Sequence, residues 1–439
     1  MDLPDRVIQF MDQFRDKKYQ IFVVGGPVRD LVLGKEIKNW DFATNAKPEE
    51  IQKLFPESFY HNTYGTVTVM IDEVPFEVTP FRKEGTYSDN RHPDQIEWAE
   101  TIEEDLSRRD FTINAMAYDG SNLIDLFDGQ KHLKEKLVVA VGDPDKRFNE
   151  DALRLLRAVR FSSQLGFIIE EKTRSSIQKN ADLIQNISWE RIRDEFLKII
   201  GSDHPAEGIL LLKNTGLLHF ILPEVDQCFS IDQKSPNRHH IYDVGTHLVK
   251  ALEACPSKDI ITRFATLLHD IGKFKTYRKD EKTSQITFYN HEVVGTHQTK
   301  EIAQRFRLSK KDTEKLVRLV QYHQFTVSED QTDKAVRRFI REVGKEYIQD
   351  MLDLRTGDRI GSGATPTSWR LELFKKRIEE VQKEPFKVTD LKINGQDVMK
   401  ILNIEPGPKV GEVLNSLFNQ VVDGKLKNEQ EELLTALEN

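Results

Sequence analysis

The spacing of hydrophobic residues changes about a third of the way along the chain, and this change most constrains the fold. In the first part, an apolar run at 19–24 ends in Gly25-Gly26, which predicts a strand leading into a turn. Thr66–Ile71 and Pro75–Thr79 flank the polar pair Asp72-Glu73, which predicts two strands joined by a tight turn. We therefore expect a small head that mixes strands and helices.

Beyond about residue 145, apolar residues recur every three or four positions, which is the spacing of amphipathic helices. The segments 147–167 and 188–201 show this spacing clearly, with Ser188 as a predicted N-cap and Gly201 as a predicted helix end. The expected fold class is α+β, with a mixed sheet in the head and an all-α remainder.

Composition narrows the class of protein. With 439 residues, the chain is long enough for about three domains. No apolar run approaches the roughly 20 residues of a membrane-spanning helix, so we expect no membrane association. The absence of a secretory signal and the presence of only 2 cysteines predict a cytoplasmic protein. A net charge of −8 argues against indiscriminate nucleic-acid binding, but 64 Lys and Arg residues allow a local basic face.

The glycine pair Gly25-Gly26 is followed by Arg29 and Asp30. Glycine has no Cβ, so the backbone of such a turn can approach a phosphate closely, with Arg29 as its charge partner. Taken alone, the same residues are equally typical of a plain tight turn.

Asp41 lies on a strand-like segment and Glu77 on a later predicted strand. Nucleotidyl transfer commonly uses two divalent ions, which carboxylate oxygens hold. Carboxylates two residues apart on a strand face the same side and can share such ions. Here the first of the two positions is Asn39. Taken alone, Asp41 is also explained as a solvated carboxylate at a strand end.

Two further charged groups follow along the chain. Arg109 and Asp110 are placed to face a triphosphate and a ribose hydroxyl, although such a run is often a surface feature. Asp151, Arg154 and Arg157 lie three apart, so a continuous helix would carry them on one face. A carboxylate beside a guanidinium can imitate the hydrogen-bonding edge of a base. A structural ion pair is the alternative interpretation.

Taken together and in order, six segments resemble the class II tRNA nucleotidyltransferases, the CCA-adding enzymes. The segments are GGPVRDLVLG, NWDFATNA, EVTPFRKEGTYSDNRHP, RRDFTINAMAYD, EDALRLLRAVRF and SWERIRDEF. The resemblance implies a polymerase-β-like nucleotidyltransferase head, a helical neck that selects CTP or ATP, and a helical body and tail that bind the tRNA acceptor arm. The implied reaction is attack of the tRNA 3′-hydroxyl on the α-phosphate of the nucleotide, with release of pyrophosphate and without a nucleic-acid template.

The resemblance also assigns roles by matching motif. Asp41 and Asn39 occupy the Mg²⁺ positions, Glu77 is a third carboxylate, and Arg109 joins them in the catalytic set. The residues implied to bind nucleotide are Gly25, Gly26, Arg29, Asp30, Asp110, Asn114, Asp151, Arg154 and Arg157. Among these, Asp151 and Arg154 would pair with cytosine or adenine in turn.

The segment 77–93 resembles a flexible loop that full CCA-adding enzymes possess and CC-adding enzymes lack. This favours complete CCA addition. Addition of A alone, or of a poly(A) tail, remains an alternative.

A second group of residues lies further along the chain, at His247, His269-Asp270 and Asp358. The series, and TLLHDIGKF in particular, resembles the signature of HD-domain phosphohydrolases. Imidazole nitrogens and carboxylates on neighbouring helices bind divalent metals such as Mg²⁺, Mn²⁺ or Ni²⁺, and the metal activates water for attack on a phosphoester. Three further residues near this group have less specific roles. Lys273 could hold phosphate, and His291 and His323 could supply a second metal or bind phosphate.

The expected domains are a head (1–142), a neck (143–222), an HD-containing body (223–365) and a tRNA-binding tail (366–439). In the tail, Lys392, Lys400 and Lys409 could touch RNA phosphates, although a solvated helix surface explains them equally well. Nothing in the sequence indicates a protein partner.

Asn39 is the residue that discriminates between the competing functional hypotheses. Loss of one metal carboxylate would cost about 3–5 kcal/mol of transition-state stabilisation, or roughly 10²–10⁴ in rate. A degenerate head would be expected to lose several motifs together, yet the others are intact. We therefore favour an active family design with one altered ligand position, engineered rather than natural. The alternatives are an HD phosphohydrolase with a silent RNA-binding head, and a catalytically silent tRNA-binding protein.

Overall fold

The computed structural model divides the chain into two compact units, residues 1–226 with 305–307 and residues 227–304 with 308–439. The residues that it describes are 2–61, 65–83, 97–233, 242–325, 327–329, 331–382, 388–422 and 425–438. Residues 84–93, which carry most of the loop expected for full CCA addition, lie outside the described residues.

The first unit contains a mixed sheet of seven strands in the order β3-β4-β5-β2-β1-β6-β7. The strands are β1 (Ile21–Val24), β2 (Trp40–Thr44), β3 (Phe59–His61), β4 (Thr66–Ile71), β5 (Val74–Pro80), β6 (Met116–Tyr118) and β7 (Leu123–Asp125). β2 and β5 run parallel, whereas the other neighbouring strands are antiparallel. The predicted strands and the hairpin turn at Asp72-Glu73 are confirmed.

Helices surround the sheet and continue beyond it. They are α1 (Asp5–Arg15), α2 (Gly26–Val32), α3 (Pro48–Leu54), α4 (Ile102–Ser107), α5 (Gly129–Glu135), α6 (Pro144–Glu150), α7 (Leu153–Leu165), α8 (Glu171–Lys179), α9 (Trp189–Ile200), α10 (Pro205–Asn214), α11 (Leu217–Ile221) and α12 (Pro223–Cys228). A two-stranded ladder joins β8 (Leu137–Val138) to β9 (Ile168–Ile169). The predicted helix at 188–201 is confirmed as α9, with Ser188 and Gly201 at its ends.

Among its described residues, the second unit is helical apart from one short ladder, β10 (Arg278–Lys279) with β11 (Ile286–Thr287). The helices that follow α12 are α13 (Val244–Ala254), α14 (Ile260–Leu268), α15 (Lys273–Thr276), α16 (His291–Arg305), α17 (Lys310–Tyr322), α18 (Asp333–Val343), α19 (Ile348–Gly361), α20 (Trp369–Val381), α21 (Gly395–Leu402), α22 (Pro408–Val422) and α23 (Gln430–Glu438). In the described part of the chain, none is long and apolar enough to cross a membrane.

Aromatic packing fixes the two strands that matter most for the head. Phe10 of α1 packs against Phe42 of β2 and Phe76 of β5, with ring centroids 4.9 Å and 5.0 Å away. All three side chains are fully buried. Because side chains alternate along a strand, the neighbours Asp41 and Glu77 point to the opposite face of the sheet. Burial of the aromatic face therefore sets the direction of the two carboxylates.

The prediction of one continuous helix over 147–167 is wrong. α6 ends at Glu150, Asp151 adopts an extended conformation (φ −140°, ψ 103°), and α7 begins at Leu153. The Asp151 carboxylate accepts a hydrogen bond from the Leu153 amide at 3.1 Å. Aspartate competes with helix continuation in this way because its short side chain can bond nearby backbone N–H groups. Asp151 therefore does not share a helix face with Arg154 and Arg157.

Candidate active sites

A cavity of about 800 Å³ opens on the face of the sheet that carries Asp41 and Glu77; we call it the head cavity. It receives side chains from β1, α2, β2, β5, the segment 108–114 and α7. All the head residues singled out from sequence line it: Gly25, Gly26, Arg29, Asp30, Asn39, Asp41, Glu77, Arg109, Asp110, Asn114, Asp151, Arg154 and Arg157.

Asp41 and Glu77 are directly paired across the parallel strands β2 and β5. Burial and the neighbouring charge of Glu77 raise the pKa of Asp41 to about 6, although Arg109 and Arg29 oppose the rise. Two adjacent carboxylates in a partly buried site repel each other unless a cation lies between them. The donor set therefore fits a hard divalent cation.

Asn39 precedes β2 and is solvent-exposed, but its side chain lines the same cavity. Its predicted place beside the metal carboxylates stays a prediction. An amide supplies one carbonyl oxygen and no negative charge, so it is a weaker ligand than aspartate.

The β1–α2 turn depends on Gly25, which has a positive φ of 72°. A Cβ at this residue would also lie 3.0 Å from Nη1 of Arg109. The positive φ is what favours glycine here, since the Arg109 guanidinium ends a flexible side chain that can shift. The turn and Arg109 border the head cavity together.

Arg29 is held in place by two partners. Its Nη1 donates to Oδ1 of Asn114 at 3.0 Å, and its Nε donates to Oδ1 of Asp30 at 3.0 Å. Asp30 and Asn114 therefore orient the arginine, and Arg29 presents its positive charge to the head cavity.

Arg108 and Arg109 share a buried carboxylate that the sequence interpretation missed. Asp105 accepts from Arg108 Nη2 at 2.6 Å and from Arg109 Nη2 at 2.9 Å. Burial would raise the pKa of Asp105, but the two guanidinium charges outweigh it and lower the pKa to about 2. The spacing of three and four residues on α4 is the signal that could have identified it.

Asp110 forms an ion pair with Arg157 of α7, with its Oδ2 2.7 Å from Arg157 Nε. Burial would raise its pKa, but Arg157 outweighs this effect and lowers the pKa to about 2. The pair joins the segment after α4 to α7. Asp110 is therefore a positioning residue for Arg157 as well as a lining residue of the head cavity.

Asp151 and Arg154 each have other partners. Asp151 Oδ2 lies 2.9 Å from Arg191 Nη2 on α9, and Arg154 Nη1 lies 2.8 Å from Glu150 Oε2. Arg154 Nη2 also donates to the Arg108 carbonyl at 3.0 Å. Both side chains reach the head cavity, but they are fixed by separate contacts and not as an adjacent pair.

Phe161 is a second lining residue that the sequence interpretation missed. The guanidinium carbons of Arg160, Arg157 and Arg29 lie 4.1, 5.3 and 5.7 Å from its ring centroid. The face of an aromatic ring attracts cationic groups such as these guanidiniums. Its spacing of four residues from Arg157 on α7 is the available signal.

In the second unit, the histidine cluster consists of His247 on α13, His269 and Asp270 after α14, and Asp358 on α19. The Nε2 atoms of the two histidines are 3.1 Å apart. Asp358 Oδ1 lies 3.4 Å from His247 Nε2 and 3.6 Å from His269 Nε2. The four residues predicted to bind metal are thus brought together from three helical segments.

The histidine cluster is deeply buried, with His247 and His269 each 1% exposed. Burial lowers the pKa of His269, but the charges of Asp270 and Asp358 outweigh it and raise the pKa to about 10. His269 Nδ1 donates to the Thr266 carbonyl at 2.7 Å, which directs Nε2 to the carboxylates. The donor set fits a divalent transition metal, since it offers imidazole nitrogens and carboxylate oxygens around one point.

Gly272 permits the turn after Asp270 to pack against the start of α16. A Cβ at Gly272 would lie 2.0 Å from the His291 carbonyl oxygen. No side chain fits in this space, so the glycine is required by a close backbone approach. Lys273 follows and forms an ion pair with Asp270 at 2.6 Å.

The histidine cluster borders a pocket of about 570 Å³, which Lys273, His291, His323, Arg355 and Arg359 also line. Two of its cations are paired with carboxylates of the cluster, Lys273 with Asp270 and Arg355 with Asp358. In the tail, Lys392, Lys400 and Lys409 are exposed.

Comparison with known proteins identifies the family of the chain. The "Poly A polymerase head domain" family matches residues 21–139, and the "Probable RNA and SrmB- binding site of polymerase A" family matches residues 166–229. A tRNA nucleotidyltransferase domain 2 family matches residues 277–437. The fold and the head cavity thus define a nucleotidyltransferase.

Full-length relatives are more specific. The CCA-adding enzyme of Levilactobacillus brevis is 33% identical over 95% of this chain and 94% of its own length. That of Ligilactobacillus salivarius is 32% identical over 99% and 96%. The solved structure of Bacillus stearothermophilus CCA-adding enzyme in complex with CTP matches with a TM-score of 0.75 at 27% identity, over 99% of this chain and 97% of that one. The chain belongs to the family of CCA-adding enzymes, which are tRNA nucleotidyltransferases.

Proposed function

We propose that this chain adds CCA to the 3′ end of tRNA, using CTP and ATP. The observation that carries the proposal is the head cavity, in which a carboxylate pair, a glycine turn and a row of arginines face one space. Relatives named CCA-adding enzymes over their full length support the same activity.

In this function, the arginines would bind the triphosphate. Arg29 and Arg109 would supply the positive charge. Asp30 and Asn114 orient the guanidinium of Arg29, and Asp105 orients that of Arg109. The Gly25 turn leaves room for phosphate oxygens near Arg109. Binding of a nucleotide in this orientation places its α-phosphate toward the carboxylates.

Asp41 and Glu77, with Asn39 beside them, would hold Mg²⁺ ions, which when bound neutralise phosphate charge and favour deprotonation of the attacking 3′-hydroxyl. Asp41 must be ionised to serve as a ligand, and its pKa of about 6 allows this at neutral pH.

Asp151 and Arg154 would read the base. Arg154 offers guanidinium donors and Asp151 offers carboxylate acceptors to the Watson–Crick edge of cytosine or adenine. Both have protein partners, Arg191 and Glu150, and these would position the reading groups.

The test is incorporation of labelled CTP and ATP into tRNA that lacks its 3′ end, with this chain and with Asn39→Asp. We expect incorporation of both nucleotides, and an increase of roughly 10²–10⁴ with Asn39→Asp if the amide weakens metal binding. Incorporation of ATP alone, or of a long A tail, would replace the proposal by A addition or poly(A) addition. Absence of incorporation by either chain would overturn it and leave the head as an RNA-binding module.

We propose a second activity, metal-dependent phosphoester hydrolysis, at the histidine cluster. The convergence of His247, His269, Asp270 and Asp358 beside a pocket that also carries cationic side chains favours it. A divalent ion held there, Mg²⁺, Mn²⁺ or Ni²⁺, would when bound supply an activated water. Lys273, Arg355 and Arg359 would hold the phosphate.

Hydrolysis of a 2′,3′-cyclic nucleotide by the full chain tests this activity. We expect it to be lost in His269→Ala with Asp270→Ala, whereas CCA addition continues. Hydrolysis that persists in the double variant would refute the assignment. Both activities suit the cytoplasm, where the two buried cysteines would stay reduced.

A further inference from the structure

The face of the sheet that carries Asp41 and Glu77 continues outward across β4 and β3. Glu77 lies directly opposite Thr68 of β4, and Thr68 lies directly opposite Phe59 of β3. Side chains of directly opposite residues lie on the same face of a sheet. Asp41, Glu77, Thr68 and Phe59 therefore form one row across four neighbouring strands.

The outer part of this face consists of alternate residues of β3 and β4, and we call it the β3–β4 face. Its residues are Phe59, His61, Thr66, Thr68 and Met70. Nε2 of His61 lies 3.2 Å from Oγ1 of Thr68, so these two side chains meet on the same side of the strands. Val67 and Val69 point to the other side and are buried. Packing behind the strands therefore fixes which side chains face outward.

The β3–β4 face has the chemistry of a surface for bases and riboses. Phe59 and Met70 are 63% and 47% exposed, although both are apolar. None of the residues of the face is Lys or Arg, so it is not suited to bind phosphate groups. Unpaired bases stack on aromatic side chains, and a ribose 2′-hydroxyl can both donate and accept hydrogen bonds. Phe59 offers the ring, and Thr68 and His61 offer the hydrogen-bonding groups.

The arginines of the head cavity lie on the other side of the carboxylate pair. In the sheet, β1 and β6 follow β2 on one side, whereas β4 and β3 follow β5 on the other. Arg29 lies on α2, directly after β1, and Arg109 lies in the segment that leads into β6. The charges for a triphosphate are thus on the β1 side. Attacking and leaving oxygens lie roughly in line in such a transfer, so the attacking hydroxyl approaches from the β4 side.

We propose that the β3–β4 face holds the unpaired 3′ end of tRNA, with one base stacked on Phe59 and a ribose hydroxyl at Thr68 and His61. The inference rests on the proposed CCA addition and states where its RNA substrate lies. Neighbouring strands are about 4.8 Å apart, so Phe59, three strands from Asp41, lies about 14 Å from it. Stacked nucleotides advance about 3.4 Å each, so this distance spans at most about four nucleotides. Phe59 therefore contacts a nucleotide that precedes the terminal one.

The experiment measures the Kd of the full-length chain for tRNA that ends in CC, by filter binding. Phe59→Ala should weaken binding about tenfold, because one base loses its stacking partner. Phe59→Leu should weaken it to a similar extent, since leucine keeps the apolar bulk without the ring, whereas Phe59→Trp should bind like the parent. Tyr60→Ala is the matched control, because Tyr60 is the next aromatic residue of β3 but lies opposite Val67, on the other face. It should bind like the parent, and circular dichroism establishes that each variant is folded.

A second set of RNAs identifies the contacted base. Each unpaired base of the tRNA is replaced in turn by an abasic site. At one position, loss of the base should weaken binding to the parent about tenfold but binding to Phe59→Ala less than twofold, since the stacking partner is already absent. A blunt acceptor stem without unpaired nucleotides should bind the parent and Phe59→Ala equally.

Equal affinity of Phe59→Ala and the parent for tRNA that ends in CC would overturn this inference. An equal loss with the blunt stem would overturn it as well, because the face would then contact paired RNA. Parent-like affinity of Phe59→Leu, or additive losses at every abasic position, would overturn the stacking of a base on Phe59. Absence of nucleotide incorporation by the parent would overturn the proposed CCA addition, and the binding measurements would still decide whether Phe59 contacts the unpaired end.

Discussion

In the head cavity, arginines and carboxylates neutralise one another in pairs, whereas in the histidine cluster the polar atoms converge on shared points. Asp105 and Asp110 each have guanidinium partners, and only the Asp41–Glu77 pair brings carboxylates together across neighbouring strands of the described sheet. In the cluster, imidazole Nε2 atoms and carboxylate oxygens lie 3.1–3.6 Å apart.

The difference agrees with the two metal sites proposed above. A hard Mg²⁺ ion that travels with a triphosphate takes part of its oxygens from the substrate, so a protein needs to supply few carboxylates. A transition metal that resides in a protein needs a complete set of donors held by the fold. In these proposals, the substrate completes the head site and the helices complete the histidine cluster.

The largest expected effect concerns nucleotide incorporation at the head cavity. Asp41→Asn should lower incorporation of CTP and ATP by about 10³-fold or more, because a carboxylate that faces the metal position loses its charge. Single-turnover incorporation into tRNA that lacks its 3′ end measures it. Asp72→Asn in the β4–β5 turn is the matched control, since Asn tolerates the positive φ of 49° there. Equal losses in both variants would contradict the assignment.

The next prediction concerns paired charges in the head. Arg157→Ala leaves the buried Asp110 without its guanidinium partner and should lower the free energy of unfolding by about 3 kcal/mol. Urea unfolding measures this loss. Arg174→Ala, which removes an exposed pair with Glu171, should leave the midpoint unchanged. A similarly small effect of Arg157→Ala would mean that the pair does not hold the site.

The Asp110–Arg157 pair also predicts how the stability of the fold depends on pH in the acid range. The folded-state pKa of Asp110, about 2, lies below that of an unfolded aspartate. Its stabilising contribution is therefore present above about pH 4 and is lost as pH falls toward 2. Arg157→Ala should flatten this part of the stability profile, and an unchanged profile would contradict the stated cause.

A substitution at Gly272 tests whether the histidine cluster depends on helix packing. In Gly272→Ala the new methyl group would meet the His291 carbonyl, and we expect a loss of about 2 kcal/mol in stability and weaker Mn²⁺ retention. CCA addition should persist. Gly411→Ala is the matched control, because a Cβ there meets open space. Retention equal to the parent in Gly272→Ala would show that the packing does not set the ligand positions.

The smallest expected effect is a pH dependence of the free energy of unfolding, opposite in sign to the one predicted for Asp110. Because the pKa of Asp41, about 6, lies above that of an unfolded aspartate, stability falls as pH rises from about 4 to 6. Asp41→Asn should remove this dependence and raise the unfolding free energy at pH 7 by about 1–2 kcal/mol. Urea unfolding of the metal-free chain between pH 4 and 7 measures both effects. A parent profile identical to that of Asp41→Asn would contradict the raised pKa.

Local patterns predicted much of the fold. The spacing of apolar residues correctly predicted the strand Thr66–Ile71, the hairpin turn and helix α9. In such short elements, the periodic apolar positions are the same ones that packing buries. The helix break at Asp151 was missed, since a single carboxylate that bonds the Leu153 amide outweighs helical spacing locally. Asp105 and Phe161 were missed because their spacing from neighbouring arginines did not by itself show that the side chains contact one another.

The order of residue types by itself determined the family, the mixed head and the helical remainder. Motif residues carry this information because side-chain chemistry does not depend on distant parts of the chain. The tertiary structure decided the partners: Asp110 with Arg157, Asp151 with Arg191, and the two oxygens of Asp270 between two groups of histidines. These contacts join residues far apart in sequence, and only packing of the helices and the sheet sets the distances between them.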